Sequence, residues 1–208
     1  MTGLALTHGG SLHFGGAIKV IDDFAPALLC DNPAPDRSQI HRRIQQELIV
    51  RGLQSQPLRA GSELKISPRV TAKILHPPAL SLGATTDDQA VVAQLIIGSG
   101  VRVLLVSDIG VATENVLCDN HLDLRSDILI KGQHHSGASG SEKFLDHVQP
   151  KLIIATSRDF PETERLPDAW IETVRSRGIK LFRQAKRGAG GLRFYHEAAT
   201  SSPAKWHA

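Results

Sequence analysis

The sequence predicts a mixed α/β or α+β domain, and three observations carry that prediction. Short apolar runs of strand type alternate irregularly with stretches of helical spacing, glycine and proline punctuate the intervals, and several runs end abruptly in a histidine or an aspartate. The 208 residues, 41% apolar and 22% charged, suffice for one domain with a real core. A net charge of +3 is compatible with a polyanionic partner but far below that of a dedicated nucleic-acid-binding domain. No apolar run reaches the roughly 18–20 residues of a membrane span and no signal-peptide pattern opens the chain, so the isolated chain is expected in the cytoplasm. Cys30 and Cys118 lack a CxxC spacing and read as small buried hydrophobes.

In chain order, residues 4–7 form a strand that enters a turn rich in glycine and histidine, and the spacing of Ala17, Val20, Ile21 and Phe24 predicts a helix. A short strand covers 27–30. Ser38 caps a helix over 39–50 that Gly52 ends. Two β segments, 63–66 and 70–75, precede the break at His76-Pro77-Pro78. The loop 83–88 ends in Asp87 and Asp88, which could approach the site, although a solvated acidic loop is the favoured reading. Strands over 90–97 and 101–107 join through Gly98-Ser99-Gly100, and Thr113 is expected to cap a short helix to Leu117, with Glu114 in its first turn. A strand over 127–131 leads to Gly132-Gln133-His134-His135, Ser141 caps a helix to His147, and 151–156 is a strand. Residues 168–177 form a helix ended by Gly178, 179–182 pairs with 192–195, and the domain is expected to span 1–197 before a disordered tail, 198–208.

Four features stand at strand ends: His8 with His13, His76, Asp108, and His134 with His135. Imidazole nitrogens and a carboxylate oxygen are the ligand set for zinc or manganese in hydrolytic sites. Each has a plain alternative. Asp108 also suits an Asx-turn, His134-His135 a polar turn, His8 and His13 a turn before a glycine pair, and His76 reads as structural. His41, His121, His147, His196 and His207 have surface contexts and are given no role. The arginines and lysines from Arg175 to Arg193 lack interleaved aromatics and read first as a solvated face, with a phosphate-tracking edge as the alternative.

Taken together, Thr7-His8 through His13 to Gly15-Gly16, then Ser107-Asp108 with Gly110, then Gly132-Gln133-His134-His135, resemble the metallo-β-lactamase superfamily. Within it they are similar to the C-terminal domain of ComEC-type DNA-internalisation competence proteins. Lys131 to Phe160 follows that pattern throughout, and the resemblance covers about residues 4–195. It implies an αββα sandwich with metal ligands on loops at one edge, and a metal-dependent, nuclease-like hydrolase acting on the phosphodiesters of DNA during uptake. Residue by residue, His8 and His13 match the outer histidines of the family's first motif, Asp108 the aspartate that bridges two metals, and His134 or His135 the late histidine ligand. A lysine or arginine nearby would steady the developing charge.

The chain departs from the family where Gly10 replaces a histidine or aspartate and Leu12 replaces the aspartate of the second metal. Neither side chain can ligate, so one divalent metal, zinc or manganese, is expected instead of two. The chain also begins at the first histidine motif, so the sandwich is expected to lack its first strands, and a membrane channel domain is the expected partner if the chain is a piece of a longer, membrane-associated protein. Two further readings stand beside the nuclease: an inactive relic of the fold that binds DNA or acts as a scaffold, and a hydrolase of small molecules.

Overall fold

The structure, a computed structural model, describes residues 3–9, 15–33, 38–79, 85–135, 137–160, 162 and 165–184. Its strands form two sheets. The smaller has three parallel strands in sequence order, β1 (Gly3–Leu6), β2 (Leu28–Asp31) and β3 (Ser55–Pro57). The larger comprises β4 (Glu63–Ser67), β5 (Val70–His76), β6 (Val92–Ile97), β7 (Val101–Ser107), β8 (Ile128–Lys131), β9 (Leu152–Ala155) and β10 (Lys180–Arg183), in the order β10-β9-β8-β7-β6-β5-β4. β4 to β7 run antiparallel to one another and β7 to β10 run parallel.

The alternation of side chains along each strand builds four layers. On β2, Leu29 faces α1 (Ala17–Phe24) and α2 (Gln39–Val50), packing with Leu6, Ile21, Ile44 and Leu48, while Cys30 turns the other way to meet Leu58, Ile74, Val91 and Ala93 between the sheets. On β6 and β7, Val92, Leu104 and Val106 face α3 (Val111–Asp119), α4 (Glu142–Val148) and α5 (Asp168–Ser176), packing with Leu117, Phe144, Val148 and Val174. The arrangement is αββα, and both cysteines are buried as expected.

Local chemistry sets most boundaries. The Ser38 hydroxyl accepts the His41 amide at the start of α2, and Ser141 accepts the Phe144 amide at the start of α4. Gly98 and Gly100 take positive φ in the β6–β7 hairpin. α3 differs from the expectation: it starts at Val111, two residues before Thr113, whose hydroxyl donates to Asp88 instead of capping the helix. β3 was not expected at all, because Ser55-Gln56-Pro57 has no strand-type composition and is held by register with β2. The proposed partner of β10, 192–195, and the tail lie outside the described residues. Among the described residues no helix is long and apolar enough to cross a membrane.

Candidate metal centre

Strand direction gathers the polar strand ends on one edge. β7, β8 and β9 are parallel neighbours, so Asp108, the loop after Lys131 and Thr156 emerge together. β6 runs the other way, which brings its leading residues, the single 3-10 turn Asp87–Gln89, to the same edge, and His76 ends β5 beside it. The small sheet joins there: the Val91 amide donates to the Thr7 carbonyl at 2.7 Å, and the Asn32 side chain bridges to Thr7 and Gln89.

Asp87 is the hub of this edge, the less favoured of the two places the sequence left open for it. Assigned to a solvated loop with Asp88, it is 7% exposed. One carboxylate oxygen accepts from His8 Nε2 at 2.8 Å, and the other accepts from the ring and the amide of His135. Burial pushes the Asp87 carboxyl up, but the bonds from His8 and His135 outweigh it and hold it well below the usual carboxylate range. Desolvation pushes Asp88 up, but hydrogen bonds from Thr85, Thr113 and the Gly110 amide outweigh it and hold the carboxyl low, with His134 3.6 Å away. The signal for both was faint, since a buried and a half-buried carboxylate on one turn leave no periodicity. The flanking Thr85-Thr86, which feeds a hydroxyl to Asp88, was the available cue.

Ligand-type atoms of Asp87, His134 and His135 all lie within 4.8 Å of one another. The imidazole rings of His134 and His135 stack with centroids 5.0 Å apart. Two glycines make room for this. A Cβ on Gly110 would fall 2.9 Å from the His134 ring, and one on Gly132 would fall 1.7 Å from Asp108 Oδ1. Two imidazoles and a carboxylate converging beside backbone that tolerates no side chain form a donor set suited to a borderline divalent ion.

The other expected residues lie outside this group of three. His8 is buried and reaches it through Asp87, and Asp108 lies against Gly132 at the end of β7. His13, Gly10 and Leu12 lie outside the described residues. His76 donates its Nε2–H to the Asp88 carbonyl at 2.8 Å, and burial lowers its pKa, so the neutral ring is a structural strut. His41, given no role from sequence, is buried under α2 and bonded to Asp31 at 2.8 Å. Lys131 is 2% exposed with Nζ on the Gly132 carbonyl, so it does not present its charge to a substrate.

No family model matches the chain. Over 95 residues it is 30% identical to "Competence protein ComA" of Neisseria gonorrhoeae, a match that covers 45% of this chain and only 14% of that protein. Among solved structures it is similar to Igni18, a metallo hydrolase of Ignicoccus hospitalis, with a TM-score of 0.56 and 14% identity over 88% of this chain and 76% of the other. A metal-dependent hydrolase of Parabacteroides distasonis gives a TM-score of 0.56 and 13% identity with the same coverage. CmlA, a diiron β-hydroxylase of Streptomyces venezuelae, gives 0.57 and 11% over 88% of this chain and 43% of the other. With its four layers and its similarity to these structures, the chain has the metallo-β-lactamase fold.

Proposed function

We propose that this chain is a hydrolase domain that works with one divalent ion, zinc or manganese, and cuts the phosphodiesters of DNA in connection with DNA uptake. The convergence of Asp87, His134 and His135 carries the reading. Asp108 belongs to the proposed centre as a neighbouring carboxylate, His8 as the histidine oriented by Asp87, and His13 as a further donor on the strength of its motif. The partial likeness to a competence protein supports the link to DNA uptake, and a membrane channel domain as partner.

When bound, the ion would polarise a phosphoryl oxygen and lower the pKa of water. The chain's own residues do the rest. Asp87 stays ionised, and by accepting from His8 and His135 it fixes both rings. Asp88, pinned by Thr85, Thr113 and Gly110, keeps its charge beside His134. The inactive-relic reading is favoured by one observation, that both oxygens of Asp87 are already occupied by histidines.

Untagged protein loaded with zinc or manganese is incubated with single-stranded DNA and, separately, with ester and thioester substrates. Metal-dependent cleavage of DNA, lost in His134→Ala with His135→Ala, is expected. Turnover of esters alone points to a small-molecule hydrolase, and metal binding without turnover points to the relic.

A further inference from the structure

The loop 132–141, which carries His134 and His135, is anchored at both ends by buried groups that take no part in ligation. At its start, Lys131 folds Nζ back onto the Gly132 carbonyl at 2.7 Å and lies 4.8 Å from the centre of the Trp170 ring. The Gly132 amide donates to the Ser107 carbonyl at 2.7 Å. At its end, Glu114, 1% exposed, accepts the amides of Gly140 and Ser141, and Trp170 Nε1 donates to the Gly140 carbonyl at 2.7 Å. Trp170 on α5 therefore touches both anchors.

A buried ammonium is costly, and a thioether of similar volume would pack under Trp170 without that cost. Burial pushes the Lys131 amine down to about 8, against the upward pull of Glu114 and Asp108. A residue that destabilises its own site yet holds a loop start is more simply explained by position than by packing. We infer that Lys131, Glu114 and Trp170 form a clamp that fixes the 132–141 loop and so sets the orientation of His134 and His135. Lys131 is a positioning residue that meets no substrate. Only the purpose of the clamp rests on the proposed metal site.

The test is Lys131→Met in the full, untagged chain, with three readouts: the imidazole nitrogen NMR signals of His134 and His135 in chelator-treated protein, zinc affinity by chelator competition, and the thermal midpoint. The clamp predicts displaced imidazole signals, zinc affinity weaker by about ten-fold or more, and a midpoint unchanged or higher. Unmoved signals, whatever the midpoint, would overturn the inference. Trp170→Phe keeps a ring under the ammonium and removes the bond to Gly140. It should move the same signals by less, and it decides the question if Lys131→Met does not fold. A wild-type chain that takes up neither zinc nor manganese, while the signals still move in the variants, sinks the proposed function and leaves the clamp standing.

Discussion

The two sheets supply the candidate centre by different means. The large sheet delivers the loop 132–141, whose ends are tied to Lys131, Ser107, Glu114 and Trp170, so its imidazoles are placed by buried groups behind them. The small sheet delivers His8, which is oriented through Asp87, a carboxylate that belongs to the large sheet's leading turn. One side of the centre is built in advance, and the other is held by a single shared acid. The 87–88 turn is thus where the two halves become one site.

That comparison is broken most sharply by removing histidines from each side. His134→Ala with His135→Ala should abolish metal uptake, whereas His8→Ala should weaken it by about 10–100-fold, as expected for a residue that acts through another; metal analysis after dialysis reads both. Next in size, the cores beneath the two sides are probed by Phe144→Ala, costing about 3–5 kcal/mol, and Ile44→Ala, costing about 2–5 kcal/mol, in denaturant unfolding. Both residues are fully buried, in the helix layers of the large and the small sheet respectively. Only the first should also loosen the imidazole loop, because the Phe144 side chain anchors in the core the helix whose first turn, at Ser141, ends that loop.

A smaller effect is expected at Gly132→Ala. Its Cβ would collide with Asp108 Oδ1, so the loop start or the carboxylate must move, at about 1–3 kcal/mol of unfolding free energy, with weaker metal binding. The smallest is a pH effect. Lys131 titrates at about 8 in the folded chain against 10.5 unfolded. Between those values the unfolded chain holds more protons, so stability rises with pH across that window, while below about 8 the buried charge exerts its full cost. Lys131→Met should lack this rise, and its stability advantage over wild type near pH 7 should shrink near pH 10, by an amount on the order of 1–3 kcal/mol in denaturant unfolding.

Much of the large sheet was legible in the sequence. Residues 101–107 and 127–131 are near-continuous apolar runs because parallel, doubly covered strands bury both faces, and each stops at a polar group on the edge of the candidate centre. The caps at Ser38 and Ser141 were equally plain, since a hydroxyl just before a helical run has one common use. What escaped was polarity buried by tertiary contact. Asp87 and His41 look like solvated residues in their local sequence, and only the meeting of two sheets, or of α2 with the end of β2, encloses them. Thr113 escaped for a related reason, as its hydroxyl is claimed by Asp88 from another segment.

The account stands or falls on one ion shared by Asp87, His134 and His135. Metal analysis of the untagged chain, loaded with zinc or manganese and dialysed beside Asp87→Asn, tests this most directly. About one ion per wild-type chain and far less in the variant is the predicted result. A wild-type chain that retains no metal, or an Asp87→Asn chain that retains as much as wild type, would contradict it.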